Sequence, residues 1–150
     1  MDNSAKEKIE HEISRINKHF DNGKPLLTLC RLKEPDFVEA SAAGLFLQSV
    51  YNGIESIVLL IFKSIGEDIP NDSKWHKSLF EKTFEANDKR TKIFQNEYKE
   101  QLSEYLTFRH FIRHAYGFEI DWKRLKPLIN GAEEMWRIVE KDIKQFIENN

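Results

Sequence analysis

Cysteine is almost absent from this chain, and so are long apolar runs. Cys30 is the only cysteine, so no intrachain disulfide can form and a reducing, cytoplasmic location is expected. The most apolar run, Ile57 to Phe62, is far too short to span a bilayer. The polar start Met1-Asp2-Asn3-Ser4 does not resemble a signal peptide. We therefore expect no membrane association, and we interpret Cys30 as a small core residue rather than a nucleophile.

An excess of positive charge is also absent. The chain has 23 basic and 25 acidic residues and a net charge of −2, so any RNA binding must come from a local basic patch. The sequence has no Gly-rich phosphate loop and no GxSxG elbow. It also has no Cys/His zinc pattern and no pair of Glu-x-x-His motifs. These absences argue against P-loop enzymes, serine hydrolases, zinc proteins and di-iron bundles.

Apolar residues at helical spacing dominate what remains. Hydrophobic residues make up 40% of the 150 residues, with eleven Phe, which is enough for one well-packed domain. No strand-like alternation of useful length and no repeat occurs. The pattern predicts a single all-α domain over residues 1–150, an up-and-down bundle of four to five helices. The expected helices cover about 4–20, 36–66, 73–84, 89–116 and 121–148.

Local signals define the ends of these helices. Ser4 is the expected first cap, and the stretch from Asp21 to Pro25 predicts a break or strong kink. Gly66 is expected to end the second helix, Gly117 the fourth, and Gly131 to bend the fifth. The second helix is apolar on more than one face, which is typical of a central helix or a subunit interface.

Two polar residues, Asn52 and Glu55, interrupt this apolar second helix. In one interpretation both lie on its solvent side, or Asn52 bonds a neighbouring backbone group. In the other, Glu55 is buried and orients a basic side chain, since a buried carboxylate needs a partner. His76, in the third helix, is interpreted as a structural residue.

The stretch from Arg109 to Phe118 concentrates two arginines, two histidines and a tyrosine in eight residues. On an ideal helix Arg109, Arg113 and Tyr116 share one stripe, while His110 and His114 form the next stripe. Cations also suit a helix C-terminus, so part of this clustering has a structural reason. The histidine pair has the spacing of two metal ligands, but the flanking arginines would repel a cation. We expect neither a metal nor another cofactor.

Arg109, His114 and Tyr116 match a known signature, an arginine, four residues, a histidine, one residue and a tyrosine. In these residues the chain resembles the HEPN superfamily, in particular the HepT-like ribonuclease toxins. The resemblance covers roughly residues 35 to 148, with flanking matches at Asn52-Gly53-Ile54-Glu55, Ile69-Pro70, Trp75-His76-x-x-Leu79 and Asp121-Trp122. Many members carry Asn or Asp after the arginine, where this chain has His110, so the role of that position is open.

These residue types suit metal-independent RNA cleavage. Imidazole titrates near pH 6.5, so its neutral form can take the proton of a ribose 2′-hydroxyl. Arginine can hold the charge that builds on the phosphoryl oxygens. We assign His114 as general base or acid and Arg109 as the transition-state stabiliser, with His110 and Arg113 assisting. The expected products are a 2′,3′-cyclic phosphate and a 5′-hydroxyl, and DNA would be inert.

The resemblance implies further properties. It implies a two-fold dimer whose motifs face one cleft, a role for Glu55 in orienting Arg109 or a histidine, and a minimal nucleotidyltransferase antitoxin that adenylylates Tyr116. Alternatives remain at each point: a monomer with a half-built site, or a Tyr116 ring that only packs on Gly117 and Phe118. The alternative function is a non-catalytic helical module that binds a nucleotide or a partner.

Overall fold

The computed structural model describes residues 1–150 as an all-α bundle, which confirms the predicted fold class. Two short 3₁₀ turns, Asn96–Tyr98 and Gly117–Glu119, accompany the helices. The helices are α1 Asn3–Leu32, α2 Phe37–Ile65, α3 Trp75–Lys82, α4 Lys99–Ile112, α5 Trp122–Asn130 and α6 Ala132–Asn149. One cluster of 34 buried apolar residues, drawn from all six helices and from the loop after α3, forms the core.

The first helix is continuous, so the predicted cap and break are wrong. Asp2, rather than Ser4, caps α1 by accepting a hydrogen bond of 2.8 Å from the Ala5 N–H. Pro25 lies within the helix on its exposed side, where water can bond the carbonyl that its missing N–H leaves free. A Cβ on Gly23 would come within 2.2 Å of the Phe46 ring. This glycine therefore allows close contact with α2 and does not end the helix.

The second helix is the central element, and its predicted ends are confirmed. Asp36 and Glu39 form a reciprocal capping box at its start. Gly66 ends it in the left-handed conformation, with φ of +72°. The helix packs against α1, α4 and α5. Its buried face therefore controls how α4 is placed.

α2 is long and apolar enough to cross a membrane, judged by length and composition alone. The sequence prediction was based only on the run from Ile57 to Phe62, which is too short, and so did not include this. Within the bundle, 56% of the most apolar 18-residue window of α2 is buried. A core helix passes the same test of length and composition, because a buried helix is apolar on several faces.

The fourth helix begins at Lys99, well after the predicted start near residue 89. Residues 83–95 form an irregular loop whose buried side chains include Ile93 and Phe94. Both of their N–H groups donate to the Thr83 carbonyl, at 2.9 and 3.1 Å. These bonds pin the loop to the end of α3. The apolar residues that suggested helical periodicity are therefore buried by a loop.

The predicted fifth helix is two helices that meet at Gly131. Asp121 caps α5 as expected, since its carboxylate accepts from the Lys123 N–H at 3.1 Å. Polar bonds then tie α6 to α1. The Trp136 indole donates to Asn17 at 2.7 Å, and the Asn17 amide donates to Glu140 at 3.0 Å.

Cys30 is buried in the core, as predicted. Burial raises the pKa of its thiol, and the charge of Glu39 raises it further. A raised pKa disfavours the thiolate, which is the nucleophilic form. The residue is thus part of the packing of α1.

Candidate active site

Arg109 lies in the last turn of α4 and points into the bundle, with only 9% of its surface exposed. Its Nε donates a 2.5 Å hydrogen bond to Oδ1 of Asn52. Its terminal Nη2 lies 4.0 Å from Oε1 of Glu55. Asn52 and Glu55 are three residues apart on α2, so both side chains reach the same side of that helix.

Glu55 lies between two basic groups. It is 9% exposed, and its Oε2 is 2.8 Å from Nδ1 of His76 at the start of α3. Of the two interpretations given for this position, the one with a buried, partnered carboxylate describes Glu55. Asn52 is exposed, as the first interpretation had it, but its amide oxygen accepts from the Arg109 side chain and it bonds no backbone group.

His76 is the residue that the sequence interpretation missed at this site. Its ring lies 3.6 Å from the Trp75 ring, measured between centroids, and tilted by 30°. The only signal in the sequence was the flanking match Trp75-His76-x-x-Leu79, which carried no chemistry of its own. α2, α3 and α4 therefore each supply part of one cluster, made of Asn52, Glu55, His76 and Arg109.

Tyr51 closes the buried side of this cluster. Burial raises its phenol pKa far above the ordinary value, the charge of Glu55 raises it further, and Arg109 lowers it. The phenol therefore stays neutral at any physiological pH. Tyr51, Glu55 and Arg109 are all buried, and electrostatic interactions between buried groups are stronger than between groups in water.

An open groove of about 960 Å³ lies between α3 and α4 and reaches this cluster. Arg109, His110 and Arg113 line one part of it, and Trp75 and His76 line another. Arginine has five N–H donors, and only the Nε–H of Arg109 is hydrogen-bonded within the protein. Its two Nη groups make no hydrogen bond within the protein, although Nη2 faces Glu55 at 4.0 Å. The residue also lines the groove, which is large enough for a polar ligand.

The structure brings His110 and His114 together, with ring centroids 5.5 Å apart in an edge-to-face arrangement. His114 is exposed and lies in the turn that follows α4. It does not line the groove, whereas His110 does. A single protomer therefore holds Arg109 in place but leaves His114 at the surface.

Tyr116 lies outside the helix, so the predicted stripe of Arg109, Arg113 and Tyr116 is wrong. α4 ends at Ile112, and Gly117 begins a 3₁₀ turn rather than ending the helix. The Tyr116 N–H donates to the Glu119 carboxylate at 2.8 Å, which stabilises this turn. A Cβ on Gly117 would lie 2.6 Å from the Ser41 hydroxyl and 2.8 Å from the Phe37 ring. The chain leaves the helix because this turn packs closely on α2.

The Tyr116 ring is 72% exposed and stacks on Phe118, with centroids 5.8 Å apart and planes within 6°. Of the packing considered as an alternative, on Gly117 and Phe118, the contact with Phe118 is present, and Tyr116 still remains largely exposed. We give the name apolar patch to these two rings and the exposed apolar residues of α2 and of the end of α1; the Phe37 ring among them lies against Gly117. Its members are Leu32, Phe37, Val38, Leu45, Tyr116 and Phe118.

No group of three or more His, Cys, Asp or Glu side chains is arranged to hold a metal ion. The polar chemistry of the groove is instead that of an anion site, since guanidinium and imidazole groups outnumber carboxylates near Arg109.

Residues 42–150 match the model of a family described as HepT-like protein. The match begins in α2 and continues to the end of the chain. It therefore includes every residue of the cluster, the groove and the signature. No curated protein and no solved structure matches the chain significantly.

Proposed function

The chain belongs to the HepT-like protein family, and we propose that it is a metal-independent endoribonuclease, the toxin of a toxin–antitoxin pair. The family is of the HEPN nuclease type, which supports a nuclease at the coarse level. The observation that supports the finer proposal is Arg109, which is 9% exposed, lines the groove and has hydrogen-bonded only its Nε within the protein. Such a group suits a phosphate that arrives with the substrate.

The proposed reaction is an internal transesterification. A neutral imidazole takes the proton of the 2′-hydroxyl, and that oxygen attacks the adjacent phosphorus. The bond from phosphorus to the 5′-oxygen breaks, and a second, protonated imidazole gives its proton to the leaving oxygen. The products are a 2′,3′-cyclic phosphate and a 5′-hydroxyl. His114 is the proposed acid or base, with His110 beside it at 5.5 Å.

Arg109 stabilises the charge that builds on the phosphoryl oxygens. Asn52 holds Nε at 2.5 Å, which orients the plane of the guanidinium and leaves its Nη groups for two phosphoryl oxygens. Glu55, at 4.0 Å from Nη2, positions the arginine without occupying its donors. Arg113 and His110, which line the same groove, assist in phosphate binding.

The second proton-transfer group comes from a second copy of the chain in a two-fold dimer. His114 is exposed in one protomer, and the apolar patch lies close to it in the chain, through Tyr116 and Phe118. Exposed Phe, Leu and Val side chains are a feature of protein interfaces. Pairing through this patch would place two copies of the motif at one cleft and exclude water from it.

Tyr116 is the proposed site of control by a nucleotidyltransferase antitoxin. The HepT family is associated with toxin–antitoxin pairs, and the Tyr116 phenol is accessible at the tip of its turn. Adenylylation would add bulk and negative charge close to His114 and Arg113, and would compete with RNA phosphates. A Tyr116→Phe protein that still accepts AMP from the partner enzyme would contradict this assignment.

The decisive experiment incubates the purified protein with a mixed RNA pool in EDTA, beside a His114→Ala variant. We expect fragments with cyclic-phosphate ends from the wild type and none from the variant. His114→Gln, which keeps the size and polarity of the side chain, should also be inactive. Intact RNA in every tube, with protein that is folded and free of AMP on Tyr116, would favour the non-catalytic binding module instead.

A further inference from the structure

The groove between α3 and α4 extends well beyond the candidate active site. Along α4 it is lined from Lys99 to Arg113, which spans about 21 Å at 1.5 Å per residue. Its other wall is the start of α3, from Lys74 to Phe80. A single phosphate at Arg109 would occupy only one end, so the rest of the groove fits a longer ligand.

The groove is basic although the chain as a whole is not. Five cationic side chains line it, namely Lys74, Lys77, Lys99, Arg109 and Arg113, against the two carboxylates Glu81 and Glu100. The whole chain has a net charge of −2. This is the local basic patch that RNA binding by such a chain requires.

Three of these lysines stand where helices usually avoid positive charge. Lys74 immediately precedes α3, Lys77 lies in the first turn of α3, and Lys99 is the first residue of α4. The amino end of a helix carries partial positive charge, so lysine there is unfavourable for the helix itself. None of the three forms an ion pair within the protein; Arg15, Lys24, Lys33, Arg90, Arg109 and Lys144 are the Lys and Arg residues that do. The Lys99 ammonium lies over the Phe84 ring, 5.7 Å from its centroid. Helix stability does not explain Lys74 and Lys77, whereas a polyanion in the groove would.

The groove also has an aromatic surface. Trp75 lines it, is only half-buried, and is backed by the His76 ring at 3.6 Å. A ring fixed in this way can stack on a base without a large loss of side-chain freedom. Aromatic stacking beside a row of cations is the usual arrangement for binding single-stranded nucleic acid.

We propose that this groove binds a short single-stranded segment of RNA next to the scissile phosphate. A base stacks on Trp75, and Lys77, Lys99 and Arg113 bind successive phosphates on the way to Arg109. Duplex RNA fits less well, since stacking on Trp75 needs an unpaired base that can leave its neighbours. The inference rests on the proposed ribonuclease function and names the path of its substrate on each protomer.

The test measures binding separately from cleavage. A fluorescent single-stranded RNA is titrated with the full-length His114→Ala protein in EDTA, over a series of salt concentrations. Into this background we introduce Lys77→Glu with Lys99→Glu, and, as the matched control, Lys8→Glu with Lys18→Glu. The control lysines are exposed on α1, outside the groove, and change the net charge by the same amount.

The groove variant should bind at least about tenfold more weakly, and its plot of log affinity against log salt should be less steep by about 1.4, for two lost phosphate contacts. The control should bind like its parent. Trp75→Leu should weaken binding, while Trp75→Phe, which keeps an aromatic ring, should retain most of it. Equal weakening by the groove pair and the control pair, or equal affinity for a duplex of the same length, would overturn the inference.

The two proposals can fail separately. If the parent binds single-stranded RNA through the groove but the wild type never cleaves it, the ribonuclease proposal fails and the groove stands. If the wild type cleaves RNA while the groove variant cleaves and binds equally well, the groove inference fails alone. Thermal unfolding of each variant, expected within a few degrees of its parent, separates lost binding from lost folding.

Discussion

Two buried arginines of this molecule, Arg90 and Arg109, each face a glutamate and differ in how well they are satisfied. Arg90, 5% exposed, binds both oxygens of Glu67, at 2.6 and 3.0 Å. Its remaining N–H groups donate to the carbonyls of Lys82, Glu85 and Thr91. All five donors are used, so Arg90 holds the loop after α3 in place and has none left for a ligand.

Arg109 is almost as buried, at 9% exposure, yet uses one donor. Oε1 of its glutamate, Glu55, lies 4.0 Å away, while Oε2 of the same carboxylate lies 2.8 Å from Nδ1 of His76. A buried charge without full hydrogen bonding is costly. Comparison with Arg90 shows that this chain can satisfy an arginine completely. The incomplete pairing of Arg109 is the feature that the proposed phosphate contact would use.

The largest expected effect comes from Arg90→Ala. It leaves the largely buried Glu67 carboxylate without its arginine and removes three bonds to carbonyls of the end of α3 and the loop after it. We therefore expect a loss of about 3–5 kcal/mol in the free energy of unfolding. Urea denaturation followed by circular dichroism measures this. A loss below about 1 kcal/mol would show that the pair does not support the loop.

Arg109→Ala should have the opposite profile to Arg90→Ala, with a large loss of activity and a smaller loss of stability. We expect a roughly 100- to 1000-fold loss in RNA cleavage rate, with a loss of stability clearly smaller than that of Arg90→Ala, because Glu55 keeps its bond to His76. Arg109→Lys should not restore activity, since an ammonium cannot bind two phosphoryl oxygens in the same geometry. Rate and stability are measured on the same preparations. Near-normal cleavage by Arg109→Ala would remove this residue from the site.

His76→Ala should allow Arg109 to pair closely with its glutamate, as Arg90 does. Without the imidazole, Glu55 is free to pair with the arginine and to occupy donors that we reserve for phosphate, so RNA affinity should fall by about tenfold. Adding Glu55→Gln should recover most of that loss, because the competing charge is then gone. RNA titration of the single and double variants forms the test. A double variant that binds more weakly than His76→Ala would contradict the proposed positioning role of Glu55.

The smallest expected effect is on the pH dependence of stability. Burial by itself raises the pKa of Glu67, but bonds from Arg90 and Asn87 outweigh it and hold the pKa below its ordinary value of 4.5. The folded state thus keeps this carboxylate ionised more readily than the unfolded chain does. The stabilisation is complete above about pH 4.5 and is lost as the pH falls through the lowered folded-state pKa.

Glu67→Gln should therefore lose stability relative to the wild type at pH 7, and the difference should narrow below pH 4.5. Urea titrations at both pH values measure this narrowing. Asp142 acts in the opposite sense: burial raises its pKa, despite a hydrogen bond from the Gln95 N–H. Protonation of Asp142 therefore stabilises the folded state as the pH falls, which partly offsets the loss due to Glu67. Measuring both proteins in an Asp142→Asn background removes this opposing effect from the pH dependence of stability.

Helix ends were predicted correctly where the residues that cap the helix lie within one turn of its end. The second helix has its predicted ends because Asp36, Glu39 and Gly66 act within one turn of those ends. The fourth helix was predicted too long at both ends. Ile93 and Phe94 are held by the Thr83 carbonyl, and Tyr116 leaves the helix because Gly117 packs on α2. In both cases the contact that ends the helix is made by a different part of the chain, so the periodicity of a single segment cannot predict it.

The candidate site was predicted only in part, because some of its contacts join residues that are far apart in the chain. Arg109, His110 and Arg113 share the groove, as their closeness in the chain suggested. His76 was interpreted as structural and was not placed at this site. Its bond to Glu55 joins residues 21 positions apart, so no local pattern in the sequence could predict it. A histidine in an amphipathic helix has no feature in the sequence that distinguishes a core residue from a partner of a buried carboxylate.

Spacing and capping along the chain are enough to predict the all-α class, the ends of α2 and the set of residues from which a phosphate-binding site can be made. Each depends on interactions within a few residues, and these form wherever the segment is helical. Which of the two arginines keeps N–H donors without a partner depends instead on the fold. Arg90 meets Glu67 across 23 positions, and Arg109 meets Asn52 across 57. Both contacts depend on the packing of separate elements, so two arginines of identical intrinsic chemistry acquire different roles.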